Sequence, residues 1–248
     1  MLLRQYLCNF FTFVSLLRYL SRFNFRRIVP TLHNEELMTS RLIKLASLSA
    51  ALVVVVLVSG FAYWSRSPVN LGGANAEDRS QLLRQWQAGE VVALVRHAER
   101  CDRSSNPCFG PADGITKVGN DAAIAVGQGF TRLGMDQADV ISSPATRTAQ
   151  TAHAMFSKDA IAQDWLASCG KPLRNDVVAH KRANHNLVLV THSGCISDFE
   201  AQTGYPHAAT SEYGSSLLVH IDAKGELKIL GIVKADDWKS LLQGSSVQ

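Results

Sequence analysis

The stretch Val91-Val92-Ala93-Leu94-Val95-Arg96-His97-Ala98-Glu99-Arg100 decides how the chain is read. Five apolar, mostly β-branched residues predict a strand buried on both faces, as in a parallel sheet. They stop at an Arg-His pair, and a polar, turn-rich run follows through Thr116. Open α/β sheets bind ligands beyond the carboxyl ends of their strands, so Arg96 and His97 stand where chemistry is expected. An imidazole presented there is a candidate nucleophile, and the neighbouring guanidinium suits a phosphate.

Outward from this strand the pattern alternates. Val118 to Leu133 carries Ala122, Ala125, Val126 and Phe130 at helical spacing, with Gly134 as the stop. Asp139 to Ser143 is a second strand, and a helix runs on to Phe156 with Pro144 near its start and Arg147 in its first turn. Ile161 to Leu166 is a short strand, Asn175 to Lys181 a helix, and Leu187 to Thr191 a third buried strand that ends at His192. A helix over 196–203 follows, then a hairpin of Ser216–Ile221 and Leu227–Val233 around Lys224-Gly225. Asp78 to Gln87 is a short amphipathic helix. The fold class is α/β: a mostly parallel central sheet flanked by helices, with an antiparallel edge.

Parallel strands in one sheet bring Arg96-His97, Arg147 and His192 to one side. Two guanidinium groups and two imidazoles around one point suit a tetrahedral dianion, and the helix start at 144–147 adds a positive dipole end. The residue types fix the chemistry. His97 attacks phosphorus in line and forms a phosphohistidine, while Arg96, Arg147 and His192 balance the charge on the equatorial oxygens. No metal or other cofactor is needed for that charge, so EDTA should leave activity intact. A free imidazole on His97 and a proton on His192 together predict a bell-shaped rate profile. Glu99 is a candidate proton donor, although an ion pair with Arg100 or Arg103 explains it equally well.

Other chemistries fit worse. A cysteine phosphatase needs an arginine six positions after its cysteine, where Cys195 has Ala201 and Cys169 has Asn175. Thr191-His192-Ser193-Gly194 lacks the leading glycine of a nucleophile elbow. His180, His185 and His192 do not form a metal-binding H-E-x-x-H.

The net charge of +4 is lopsided, with six arginines before Lys44 and a near-neutral remainder. That gives nucleic-acid binding little support. From Leu45 to Trp64 no residue is charged, and about 20 apolar residues suffice for a helix to cross a bilayer. Arg41 and Lys44 precede the run, so the positive-inside rule places the remainder of the chain outside the cytoplasm.

The expected organisation is a basic segment 1–41, whose true start is Met38, then a transmembrane anchor or signal sequence 42–64. A tether 65–77, a catalytic domain 78–240 and a tail 241–248 follow. Four cysteines in the exported part predict two disulfides with three possible connectivities. Cys101–Cys108, bracketing a short loop, closes most easily, and Cys169–Cys195 follows by elimination. Zinc ligation is the competing reading of these cysteines, but no C-x-x-C is present.

LVRHAER, SSPATRTAQTA and LVTHSG, in that order, resemble the histidine phosphatase superfamily, the phosphoglycerate-mutase-like phosphatases, over roughly Glu90 to Val233. The resemblance implies a three-layer sandwich, with His97 as the phospho-accepting nucleophile and Arg96, Arg147 and His192 as its phosphate pocket. Ala98 replaces the glycine of the usual Arg-His-Gly motif, which a negative φ there tolerates. Asp164 and Asp176 fall where many relatives carry their acid, with no motif around either.

RHAERCDRSSNPC, the GIT that follows and Cys169-Gly170 are similar to a narrower branch, the bacterial lipopolysaccharide core heptose(II)-phosphate phosphatases. Ser193-Gly194 departs from that branch. It implies a phosphorylated sugar or glycolipid substrate, and an inner-membrane attachment through Leu45–Trp64 with the catalytic domain in the periplasm.

Overall fold

The computed structural model describes residues 35–63, 67–170 and 172–243, with side chains in the first range described at 43–58 and 60. The segment 1–34, and with it most of the expected basic leader, lies outside the described residues, as does 244–248 of the tail. The chain divides into two units, 1–59 and 60–248.

Helix α1 runs Glu35–Tyr63; of the expected span 42–64, Trp64 lies outside the described residues. Ile43, Leu45, Leu48 and Leu52 through Val58 are exposed. Among the described residues no helix is long and apolar enough to cross a membrane.

The second unit is a six-stranded sheet in the order β3-β2-β4-β1-β5-β6. Its strands are β1 Val91–Arg96, β2 Ala138–Ser142, β3 Ile161–Ala162, β4 Asn186–Thr191, β5 Ser216–Ile221 and β6 Leu227–Val233. β1, β2, β3 and β4 run parallel, and β5 and β6 are antiparallel. Its helices are α2 Ala76–Gln87, α3 Lys117–Leu133, α4 Thr146–Phe156, α5 Leu173–His180, α6 Ser193–Gln202 and α7 Trp238–Leu241.

The two-residue period of the strands sorts the core into two layers. Val91, Ala93, Val95, Val188 and Val190 face the side that holds Leu82, Val126, Phe130 and Trp238. Val92, Leu94, Leu187 and Leu189 face Leu173, Val177, Ile196 and Phe199. The central strands are buried on both sides, which is why their sequences are unbroken apolar runs.

Several boundaries differ from the sequence reading. The stretch over 161–166 forms only the two-residue β3 before a 3-10 turn at Asp164–Leu166. Helix α6 starts at Ser193 rather than 196, because His192 is extended and serves as its N-cap position. The buried face of α3 runs through Ala123, Val126, Gly127 and Phe130, not Ala122 and Ala125. Glycines set that face: a Cβ at Gly127 would lie 2.0 Å from the Met155 carbonyl oxygen.

Within 67–77, several residues make contacts with the sheet and its helices. Val69 accepts a backbone hydrogen bond from Ile232. Asn70 bonds Asp237, Leu71 is buried, and Asn75 caps α2 through the Asp78 N–H.

Candidate active site

β1, β2 and β4 deliver their carboxyl ends side by side, and backbone bonds lock them there. The His97 N–H donates to Thr191, and the Ser143 N–H donates to Val190, each at 2.9 Å. Arg96, His97 and His192 thus come together beyond the sheet, with Arg147 in the first turn of α4. The His97 and His192 rings stand 5.4 Å apart, edge to face. Ala98 is buried. It is not among the described non-glycine residues at positive φ, which are Ser157 and Asn184.

His97 is buried, and its Nδ1 lies 2.7 Å from the Ala98 carbonyl oxygen. Nδ1 therefore carries the proton, and Nε2 keeps its lone pair. Burial, with the nearby charges of His192, Arg147 and Arg96, pushes the imidazole pKa down to about 3. At neutral pH it is an unprotonated base, as a nucleophile must be.

His192 stands between two groups. Its Nδ1 accepts from Arg147 Nη2 at 3.3 Å, so its Nε2–H donates to the Ser143 hydroxyl at 2.9 Å. Burial, Arg147 and Arg100 push its pKa down to about 4. The expectation that His192 carries a proton therefore fails for the free protein.

Both pocket arginines are partly desolvated, which lowers their pKa values without threatening their charge. Their Nε–H groups are buried and have no partner among the described residues. Such donors are costly unless an acceptor arrives. Arg100 lies within electrostatic reach of Arg147 and His192 but is forked onto Asp102. Glu99 accepts hydrogen bonds from Asn106 and Thr116. Bonds of this kind, that from Ser104 first, hold its carboxyl below the usual range, the opposite of what a proton donor needs. Asp164 heads the 3-10 turn after β3 and Asp176 lies in α5. No described contact links either to His97 or His192. No cluster of three or more His, Cys, Asp or Glu suited to a metal ion occurs among the described residues.

The loop after His97 is clamped. Cys101 and Cys108 lie at disulfide distance with Cα atoms 5.2 Å apart, and Cys169 and Cys195 likewise at 5.1 Å. Gln150 accepts the Ile115 N–H, and Thr146 donates to Asp113, so α4 holds the far side of the loop.

Sequence reasoning missed four residues. Ser143 holds His192. Thr151 accepts the Ala98 N–H at 3.0 Å and donates to the Arg147 carbonyl at 2.6 Å. Its signal was present, since it lies one turn after Arg147 on α4. Ser211 and Tyr213 contact Arg96 from a segment with no periodic pattern.

A mixed six-stranded sheet with Arg96, His97, Arg147 and His192 gathered at its strand ends defines a histidine phosphatase. No family model matches the chain. It is 31% identical over 185 residues to the lipopolysaccharide core heptose(II)-phosphate phosphatase of Escherichia coli O139:H28, covering 73% of this chain and 88% of that protein. The Shigella boydii protein of the same name matches at the same identity, over 83% of its length. The chain belongs to this family of phosphoric monoester hydrolases.

Among solved structures, a phosphoglycerate mutase from Bacillus anthracis aligns at TM-score 0.45 and 14% identity, over 62% of this chain and 98% of that one. The protein histidine phosphatase SixA in complex with tungstate aligns at TM-score 0.47 and 15% identity, over 59% and 98%.

Proposed function

We propose that the chain is an envelope phosphomonoesterase that removes phosphate from a lipopolysaccharide core heptose through a phosphohistidine on His97. One observation carries the chemistry. A buried, neutral His97 has Nδ1 committed to a carbonyl, beside two guanidinium groups whose buried Nε–H donors have no acceptor among the described residues. A phosphoryl group supplies the missing acceptors.

In the first step Nε2 of His97 forms a bond to phosphorus, and the bond from phosphorus to the leaving oxygen breaks. Arg96 and Arg147 hold the equatorial oxygens. The leaving oxygen takes the proton that the substrate brings in as the monoanion, and His192, held by Ser143 and Arg147, orients the phosphoryl group. In the second step water attacks phosphorus, the P–N bond breaks, and inorganic phosphate leaves with His97 restored.

The heptose substrate rests on the name of the relatives. The envelope location rests on three features. The run Leu45–Trp64 is uncharged and follows Arg41 and Lys44. The apolar side chains described in α1 are exposed. Four cysteines stand in two pairs at disulfide distance, as suits an oxidising compartment. We place the anchor at 42–64 in the inner membrane and the catalytic domain in the periplasm.

The test compares the full chain in detergent with its His97→Ala variant, on purified phosphorylated core lipopolysaccharide and on an aryl phosphate, by released phosphate. Release from the core that depends on His97 is expected. Release from the aryl phosphate alone would replace the heptose with a small phosphate ester or a protein phosphohistidine. No release from either would leave a non-catalytic phosphosugar-binding protein.

A further inference from the structure

Among the described residues Arg96 has no carboxylate partner in the phosphate pocket. Its Nη1 donates to the Ser211 carbonyl, and its Nε is buried without an acceptor among the described residues. Its Cζ lies 3.9 Å from the centroid of the Tyr213 ring. The same ring stands 5.7 Å from that of His97. Arg100, three residues along the chain from the reacting imidazole, is instead forked onto Asp102.

The two ways of holding a guanidinium differ in consequence. A carboxylate accepts the N–H fork and cancels the charge, so it competes with an incoming phosphoryl group for both. An aromatic face attracts the cation through its quadrupole, takes no hydrogen bonds from the fork's edge and leaves the charge in place.

The backbone keeps the pair together. Arg96 N–H donates to Ser215 at 2.9 Å, and Gly214 N–H donates to Arg96 at 3.2 Å. Gly214 sits at φ +69, a left-handed turn residue that places the ring directly before β5. Ser215 ties back to the Glu212 carbonyl through both its N–H and its hydroxyl. Tyr213 is thus fixed to the backbone of the residue on which it stacks.

We propose that Tyr213 is a positioning residue for phosphoryl transfer: its ring face orients the Arg96 guanidinium beside His97 without neutralising it. The inference rests on the phosphatase reading above. The hydroxyl also interacts with the guanidinium; the role proposed belongs to the ring, and the Phe replacement separates the two.

The experiment uses the full chain, with an aryl phosphate as substrate and inorganic phosphate as competitive inhibitor. Three replacements of Tyr213 are compared: Phe, Leu, and pentafluorophenylalanine, which keeps the shape of Phe and reverses its quadrupole. Tyr213→Phe is expected to hold phosphate inhibition and KM within about twofold of wild type. Tyr213→Leu and the fluorinated ring are expected to weaken phosphate inhibition about 3- to 30-fold, with KM rising in parallel and the melting temperature of the fluorinated protein unchanged.

Equal inhibition in the Phe and pentafluorophenylalanine proteins would overturn the proposal, and that comparison holds even if Tyr213→Leu fails to fold. A loss in Tyr213→Phe as large as in the fluorinated protein would also overturn it, by assigning the role to the hydroxyl. A wild-type protein that neither binds phosphate nor cleaves the aryl ester would instead remove the phosphatase reading beneath it.

Discussion

The Ser143 hydroxyl lies 2.9 Å from Nε2 of His192, while Arg147 donates to the other ring nitrogen of the same histidine. The two contacts together fix both the tautomer and the orientation of the ring, because an imidazole flanked by a donor on one nitrogen must give its proton to the other. Removing the serine leaves the half-buried Nε2–H without its acceptor and frees the ring to turn.

Ser143→Ala is therefore expected to lower kcat by about 3- to 10-fold with little change in KM, in line with the net worth of one buried hydrogen bond. Steady-state kinetics on an aryl phosphate checks this. A KM effect with unchanged kcat would mean that Ser143 binds substrate and does not orient His192.

The pH dependence follows from two depressed imidazoles. With the His97 pKa at about 3 and that of His192 at about 4, both are neutral through most of the acid range in the free protein. The acid limb of kcat/KM should then fall below pH 5, not near 6.5 where ordinary histidines titrate. The falling limb belongs to the substrate, since a phosphate monoester gives up its second proton near pH 6. The profile is still a bell, but displaced to acid. An acid limb centred near 6.5 would show that His97 is solvated.

The two cysteine pairs should separate stability from catalysis. Cys169 and Cys195 are 26 residues apart and join the segment after β3 to α6, so replacing both by serine should cost about 3 kcal/mol of stability. Cys101 and Cys108 are only 7 residues apart. They close the loop that begins four residues after His97, whose loosening should depress kcat/KM more than the melting temperature. Thermal melts and aryl phosphatase assays on the two double variants test the contrast, and equal losses in both readouts would refute it.

How far the sequence discloses this molecule depends on what holds each part in place. β1 and β4 were legible because a strand buried on both faces must be an unbroken apolar run. Arg96, His97, Arg147 and His192 were legible because each directly ends such a strand or opens the next helix. Tyr213 and Ser211 were not, because they lie in the irregular segment after α6, where neither period nor turn signal points at Arg96. The docking of Val69 and Asn70 was equally hidden: their partners at Ile232 and Asp237 are more than 150 positions away. The buried face of α3 was misread because its packing depends on glycines, which no count of apolar side chains registers.

Glu200 offers the last prediction. It is fully buried on α6, and neither carboxyl oxygen has a partner among the described residues. Burial alone raises its pKa from the ordinary 4.5 of a glutamate to about 7. In the unfolded chain the carboxyl ionises near 4.5, whereas the folded protein holds the proton to about 7, so unfolding releases a proton between these values. Stability should therefore fall as pH rises from 4.5 to 7 and level off above. Glu200→Gln removes that dependence. Its advantage over wild type should be near zero at pH 4 and grow to on the order of 2–3 kcal/mol at pH 8. Taking the difference between the two proteins cancels the opposite trend from His97 and His192. Urea denaturation at the two pH values decides it, and an advantage that does not change with pH would mean that Glu200 is ionised in the fold.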